Sequence, residues 1–178
     1  MQISEIIAPE LCKLGEQASS RKKALQVAAK HLESYEPQLD AFTTLKALVT
    51  REQLGSTAIG NGVALPHGRL IECDKPIAIL LTLDAGVDFD APDAELVNLI
   101  FCLIVPQQYN FQQLGGLNRI VEVFSNKVLR AQMRNAHNDE ALFDIMHVAL
   151  TQYDQEQANL QAPIQDKNKD QPNETSHS

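Results

Sequence analysis

Gly55 to Leu70 reads GSTAIGNGVALPHGRL, a run of small and apolar residues that delivers one histidine, His67. Gly permits positive φ and close backbone approach, and Pro66 restricts Leu65 before it, so the stretch shapes a backbone around that side chain. An imidazole titrating near pH ~6.5 keeps a neutral fraction at cellular pH and is a nucleophile, including toward phosphorus. A phosphoryl group on it would add roughly two negative charges. An open glycine-rich loop offers backbone N–H groups as a nest for such a group, which makes Ser56, Thr57, Asn61, Gly62 and Gly68 the candidate phosphoryl-binding residues. Arg51, four residues before Gly55, adds a cation if the chain folds back. The spacing allows this chemistry without compelling it, since a lone loop histidine is more often structural or incidental.

The elements that must position this loop follow from the periodicity of the chain. Ser20 is placed to cap a helix whose apolar stripe is Ala24, Leu25, Ala28 and Leu32. A second helix runs from about Asp40, with Ala41, Leu45, Leu48 and Val49 at helical spacing, and ends near Gly55 where the histidine loop begins. PIAILLTLD from Pro76 and LVNLIFCLIVP from Leu96 are nearly continuous apolar runs, the pattern of strands covered on both faces. GVALP and GVDFD are shorter strand candidates. Helical spacing returns at Leu114, Leu117, Val121 and Phe124, a short segment carries Leu129 and Met133, and a last helix from near Asn138 buries Leu142, Ile145, Met146 and Ala149. The expected fold is α/β, a mixed central sheet flanked by helices on both sides. Residues 1–152 form the expected domain. From 153 the composition turns to Gln, Asn, Asp, Lys, Pro and Ser, and residues 153–178 read as a disordered polar tail.

The chain has 178 residues and a formal net charge of −8, which argues against general affinity for nucleic acid or anionic membranes. Partners are expected to be proteins or small molecules. Cys12, Cys73 and Cys102 are odd in number and widely spaced, without a C-x-x-C pair, so neither a disulfide framework nor a zinc site is indicated. MQISEII lacks a basic segment followed by an apolar stretch, and the longest apolar run is too short to span a bilayer as a helix. The expectation is a cytoplasmic protein without membrane insertion.

REQLGSTAIGNGVALPHGR, Arg51 to Arg69, closely resembles the phosphorylation-site signature of the mannitol/fructose-type (type 2) enzyme IIA domains of the bacterial phosphoenolpyruvate-dependent phosphotransferase system. The resemblance extends over about Ile3 to Leu150, through SRKKAL and DFDAPDAELVNLIFCLIVP, and GNG is most similar to the nitrogen-related regulatory branch. It implies that His67 receives a phosphoryl group on Nε2 from the phosphohistidine of a small carrier protein, with Nδ1–H held by a backbone carbonyl. It implies that Arg51 balances phosphoryl charge, that no cofactor takes part, and that the output is control of transporter or kinase partners. Catalysis would be mostly alignment and electrostatics.

Two positions depart from the pattern. Ala58 stands where the family usually has Gly, which is tolerable unless that backbone needs positive φ. Gln113 stands where members commonly carry a second histidine; an amide donates a neutral hydrogen bond but cannot become a cation. Gly115 and Gly116 follow in the first turns of the next helix, where they either let a partner's backbone approach or mean that the helix starts later. The competing readings are a protein-binding module in which phosphorylation is weak or lost, and a stand-alone sugar-transport enzyme IIA. A metal-dependent hydrolase using His67 with Glu72, Cys73 and Asp74 lacks a second histidine at ligand spacing, so no metal is expected. His31, His137 and His147 are read as structural or surface residues, and Asp90 and Asp93 as turn residues around Pro92.

Overall fold

In chain order the elements are β1 (Ile7–Glu16), α1 (Arg21–Tyr35), α2 (Ala41–Gln53), β2 (Ala58–Gly60), β3 (Val63–Ala64), β4 (His67–Leu70), β5 (Ile77–Val87), β6 (Val97–Pro106), α3 (Asn118–Ser125), α4 (Lys127–Arg134) and α5 (Asp139–Gln161), with 3-10 turns at Ile3–Ile6 and Phe111–Leu114. These come from a computed structural model that describes residues 2–114 and 116–161, without the side chains of Gln113 and Leu114.

The two apolar runs become the middle of a six-stranded mixed sheet of order β1-β5-β6-β3-β2, with β4 also paired to β6. β5 and β6 pair antiparallel, from Ile77 against Ile104 to Val87 against Val97. Their side chains alternate between two cores, as the pleat requires. Ala78, Leu80, Leu99, Phe101, Leu103 and Val105 face the layer of α3, α4 and α5, where they meet Ile120, Phe124, Met133, Leu142 and Met146. Ile79, Leu81, Ile100, Cys102 and Ile104 face α1 and α2, where they meet Leu25, Ala28, Leu32 and Leu48. Helices therefore cover both sides, the expected architecture. Burying each such Leu, Ile or Phe is worth about 1.5–3 kcal/mol, and this double cover holds the sheet.

The helix starts follow their caps. Ser20 accepts the N–H of Lys23, and Asp40 accepts the N–H of Thr43. Asn126 separates α3 from α4 by accepting from Val128 and Leu129. The helix starts after Gly115 and Gly116: α3 begins at Asn118, and Gly116 has φ +78°, which a helix interior excludes. Gly115 itself lies outside the described residues.

An edge strand unannounced by the sequence pattern opens the sheet: β1 runs parallel to β5, with register shifts between Ile7 and Cys12 and between Lys13 and Glu16. Those shifts break the alternation by which a strand is recognised, and Pro9 is tolerated only because the strand lies at an edge. The polar tail does not begin at 153, because α5 continues to Gln161. Asp154 explains the extension: buried to 7 % exposure, its carboxylate accepts the N–H groups of Ile3 and Ser4 at 3.0 and 2.9 Å. A polar residue thus ties the last helix to the first turn, and composition alone does not reveal it. Residues 162–178 of the expected tail lie outside the described residues.

Candidate functional site

β3 and β4 pair in succession with the same edge of β6, Val63 and Ala64 opposite Leu99 and Ile100, then His67 to Leu70 opposite Leu103 to Pro106. His67 therefore opens a strand rather than hanging in a loop. On β4, Gly68 and Leu70 turn inward while His67 and Arg69 face outward. Gly68 is required by close approach: a Cβ there would lie 3.3 Å from the Cβ of Ala47 on α2. Arg51 stands one helical turn after Ala47, on the same face of α2, so this packing brings its guanidinium to the imidazole.

The contact is direct. Arg51 Nε–H donates to His67 Nε2 at 3.0 Å, and Arg51 Nη1 donates to the carbonyl of Gly55 at 3.0 Å. Because Nε2 accepts, the ring proton belongs on Nδ1, which lies 3.0 Å from the carbonyl of Leu65. Both ring nitrogens are thereby assigned by their partners. Burial holds the His67 pKa below the ordinary imidazole value, against the Leu65 carbonyl and the Glu52 charge that raise it, and the Arg51 and Arg69 cations lower it further. The neutral, nucleophilic form is the one favoured at neutral pH.

A relay of hydrogen bonds behind the ring fixes it. Glu52, at 6 % exposure, accepts the N–H of Thr57 at 3.1 Å and its hydroxyl at 2.5 Å. The Thr57 carbonyl accepts the N–H of Leu65 at 2.9 Å, and the Leu65 carbonyl in turn faces Nδ1. Glu52 also lies 3.7 Å from Arg21 at the start of α1. The sequence reading missed Glu52; its proximity to Arg51 was visible, but its burial depends on the loop folding back over α2.

In front of the ring is an open groove of about 490 Å³, with Lys46, Arg51, His67, Gly68, Arg69 and Phe111 among its walls. The edge of Phe111 meets His67 with ring centroids 5.8 Å apart, and the Arg69 guanidinium lies 4.8 Å from the Phe111 centroid. Arg69 and Phe111 were also missed, since only the β4–β6 register brings the segment after Pro106 beside His67.

The fold thus brings His67, Arg51 and Gly68 together. It takes the other loop candidates elsewhere. The Ser56 hydroxyl donates to the Phe89 carbonyl and accepts from Ala58 N–H, and Thr57 is buried against Glu52. Asn61 and Gly62, with φ +56° and +72°, form the β2–β3 hairpin turn. That turn is tied down by Asp93, which accepts the Asn61 N–H at 2.7 Å, and by Arg134 on the Asn61 carbonyl. The Asn-Gly pair between two short apolar runs was a legible hairpin signal. Gln113 falls in the 3-10 turn Phe111–Leu114 beside the groove, and its side chain lies outside the described residues. Ala58 pairs with Ala64 in the sheet without positive φ, so its departure from Gly carries no strain.

Among the described residues no three His, Cys, Asp or Glu side chains form a metal-binding group. Cys73 is packed against the α2-side core with its thiol on the Lys75 carbonyl, and burial pushes its pKa up to about 11. His31 bonds Glu16 at 2.9 Å, and His147 stacks on Phe143.

An imidazole with one nitrogen on a backbone carbonyl and the other on an arginine thus sits on a mixed α/β sheet between two helical layers. The chain belongs to the family described as "Phosphoenolpyruvate-dependent sugar phosphotransferase system, EIIA 2", whose model matches residues 5–148. Similar proteins include the nitrogen regulatory protein of Pseudomonas aeruginosa, 38 % identical over 146 residues, 82 % of this chain and 95 % of that one. That of Escherichia coli K12 is 34 % identical over 151 residues, 82 % of this chain and 90 % of its own. The crystal structure of the nitrogen regulatory protein IIA-Ntr from Neisseria meningitidis superposes with a TM-score of 0.74 at 32 % identity, covering 81 % of this chain and 98 % of that one. The mannitol IIA of Escherichia coli shares the fold, with a TM-score of 0.63 at 18 % identity over 78 % of this chain and 97 % of its own. Family membership implies an enzyme IIA of the phosphotransferase type and phosphotransfer through a histidine. Among the described residues, no helix is long and apolar enough to cross a membrane.

Proposed function

We propose that this chain is a cytoplasmic phosphocarrier whose His67 accepts a phosphoryl group on Nε2 from the phosphohistidine of a small carrier protein, and whose phosphorylation state regulates transporter or kinase partners. The observation that carries this reading is the pair of contacts on one ring: Nδ1 against the Leu65 carbonyl and Nε2 against Arg51, each at 3.0 Å. The first presents the Nε2 lone pair outward, and the second puts a cation where phosphoryl oxygens would arrive.

In the transfer, Arg51 swings from Nε2 onto the incoming group and the Nε2 lone pair attacks phosphorus. The donor's N–P bond breaks, its electron pair returns to the donor nitrogen, and a donor ring protonated on its other nitrogen departs as neutral imidazole. His67 keeps its Nδ1 proton and becomes an imidazolium bearing the phosphoryl dianion, so no proton changes hands. Phosphoryl transfer of this kind needs positioning and charge balance more than general acid or base. Phosphorylation then adds negative charge to one exposed groove, weakening partners that present carboxylates and favouring those that present arginine.

Incubation with phosphoenolpyruvate, enzyme I and the carrier protein, followed by intact mass, tests the proposal. The expected result is an acid-labile phosphoryl group on the native protein and none on His67→Ala. An unmodified native protein, with the same donors active on another acceptor, would contradict it and leave a binding module on the shared scaffold.

A further inference from the structure

The groove holds a second guanidinium whose placement the Arg51–His67 pair does not explain. Arg69 is two residues from His67 on β4, and both side chains face the groove. Its guanidinium carbon lies 4.8 Å from the centroid of Phe111, whose ring meets His67 in a T-shaped contact, so one aromatic ring bridges the imidazole and the cation. Nη1 alone anchors it, donating to the carbonyls of Gln107 and Tyr109 at 3.2 and 2.5 Å. Among the described residues, Nε–H and Nη2 have no protein partner, and Arg69 is exposed. Its charge is felt at His67, whose pKa it lowers.

We propose that Arg69 is a second phosphoryl-binding cation, which takes oxygens of the group on His67 alongside Arg51 while Phe111 and the two carbonyls hold its guanidinium in place. This rests on the phosphocarrier reading above. A planar fork with two donors free fits a phosphoryl face in a way that a lysine does not. The stacking on Phe111 reduces the rotamer freedom lost when the oxygens are bound. Arg51 comes from α2 and Arg69 from β4, so the two cations are positioned by independent elements.

The test uses the full chain, phosphorylated chemically with phosphoramidate so that no carrier is needed, and compares native protein with Arg69→Gln and Arg69→Lys. The 31P shift is followed against pH, because a neighbouring cation lowers the second ionisation of the phosphoryl group. The expected result is a higher midpoint in Arg69→Gln and a smaller rise in Arg69→Lys, which keeps the charge but not the fork. Carrier-driven kcat/KM should fall about tenfold in Arg69→Gln, the scale of one lost charge-assisted hydrogen bond, and recover only in part in Arg69→Lys. A purely structural role in holding the Phe111 turn would leave the 31P midpoint unmoved, and superimposed native and Arg69→Gln titrations would overturn the proposal. If phosphoramidate leaves His67 unmodified, the phosphocarrier reading fails. Inorganic phosphate titrated against the Arg51 and Arg69 Nε–H resonances then decides Arg69 separately: shifts at both support two cations, and no shift at Arg69 overturns it.

Discussion

At the scale of residues, the site is an imidazole whose protonation is set by its neighbours. Burial comes first and the Arg51 charge adds to it, so the folded His67 pKa lies below that of the unfolded chain. Acidification through that window protonates Nε2, removes the nucleophile and repels Arg51. Phosphotransfer is therefore expected to be flat near neutral pH and to fall as pH drops below the lowered pKa. The unfolded chain binds the extra proton more readily, so His67 also removes stability on acidification rather than adding it. Removing the cation in Arg51→Gln is expected to raise the His67 midpoint in a 15N–1H titration and to slow transfer. An unchanged midpoint would mean that Arg51 is oriented away from the ring in solution.

At the scale of elements, α2 and β4 meet through Gly68 and Ala47, and the reach of Arg51 depends on that contact. Gly68→Ala puts a methyl 3.3 Å from the Ala47 Cβ and 3.5 Å from Ile104 Cδ1. A loss of about 1–3 kcal/mol in denaturant unfolding is expected, with partial recovery in the double variant that adds Ala47→Gly. The Glu52–Thr57–Leu65 relay makes a different demand, because it orients the ring without packing it. Glu52→Ala should slow transfer by about tenfold or more through misplacement of Nδ1, and Glu52→Gln, which retains a hydrogen-bond acceptor for Thr57, should lose less. Equal rates in the two variants would show that the Arg21–Glu52 ion pair, rather than the relay, is what matters.

At the scale of the whole molecule, the two buried strands, the capped starts of α1 and α2, and the cover of helices on both faces were legible. Each rests on local periodicity or on a side chain bonding its own backbone. His67 was legible from composition, and Arg51 only as a cation in reach if the chain folded back. Glu52, Arg69 and Phe111 were not legible, because the parallel register of β4 on β6 and the return of the loop over α2 create their contacts. β1 was hidden by its register shifts, and the end of α5 by the polarity of a segment that one buried carboxylate holds in place. That carboxylate gives a prediction at this scale: Asp154→Ala leaves the N–H groups of Ile3 and Ser4 unpaired. It should cost about 1–3 kcal/mol, read as a lower denaturant midpoint with an unchanged slope. An unaltered midpoint would mean that α5 ends before Asp154 in solution.

The central claim is that Leu65 and Arg51 leave Nε2 of His67 as the acceptor. The most direct measurement is 15N–31P coupling in phosphorylated protein carrying 15N-histidine. A one-bond coupling at Nε2, with Nδ1 still protonated against the Leu65 carbonyl, is the expected result. A phosphoryl group on Nδ1, or on another residue, would contradict the geometry on which the proposed function rests.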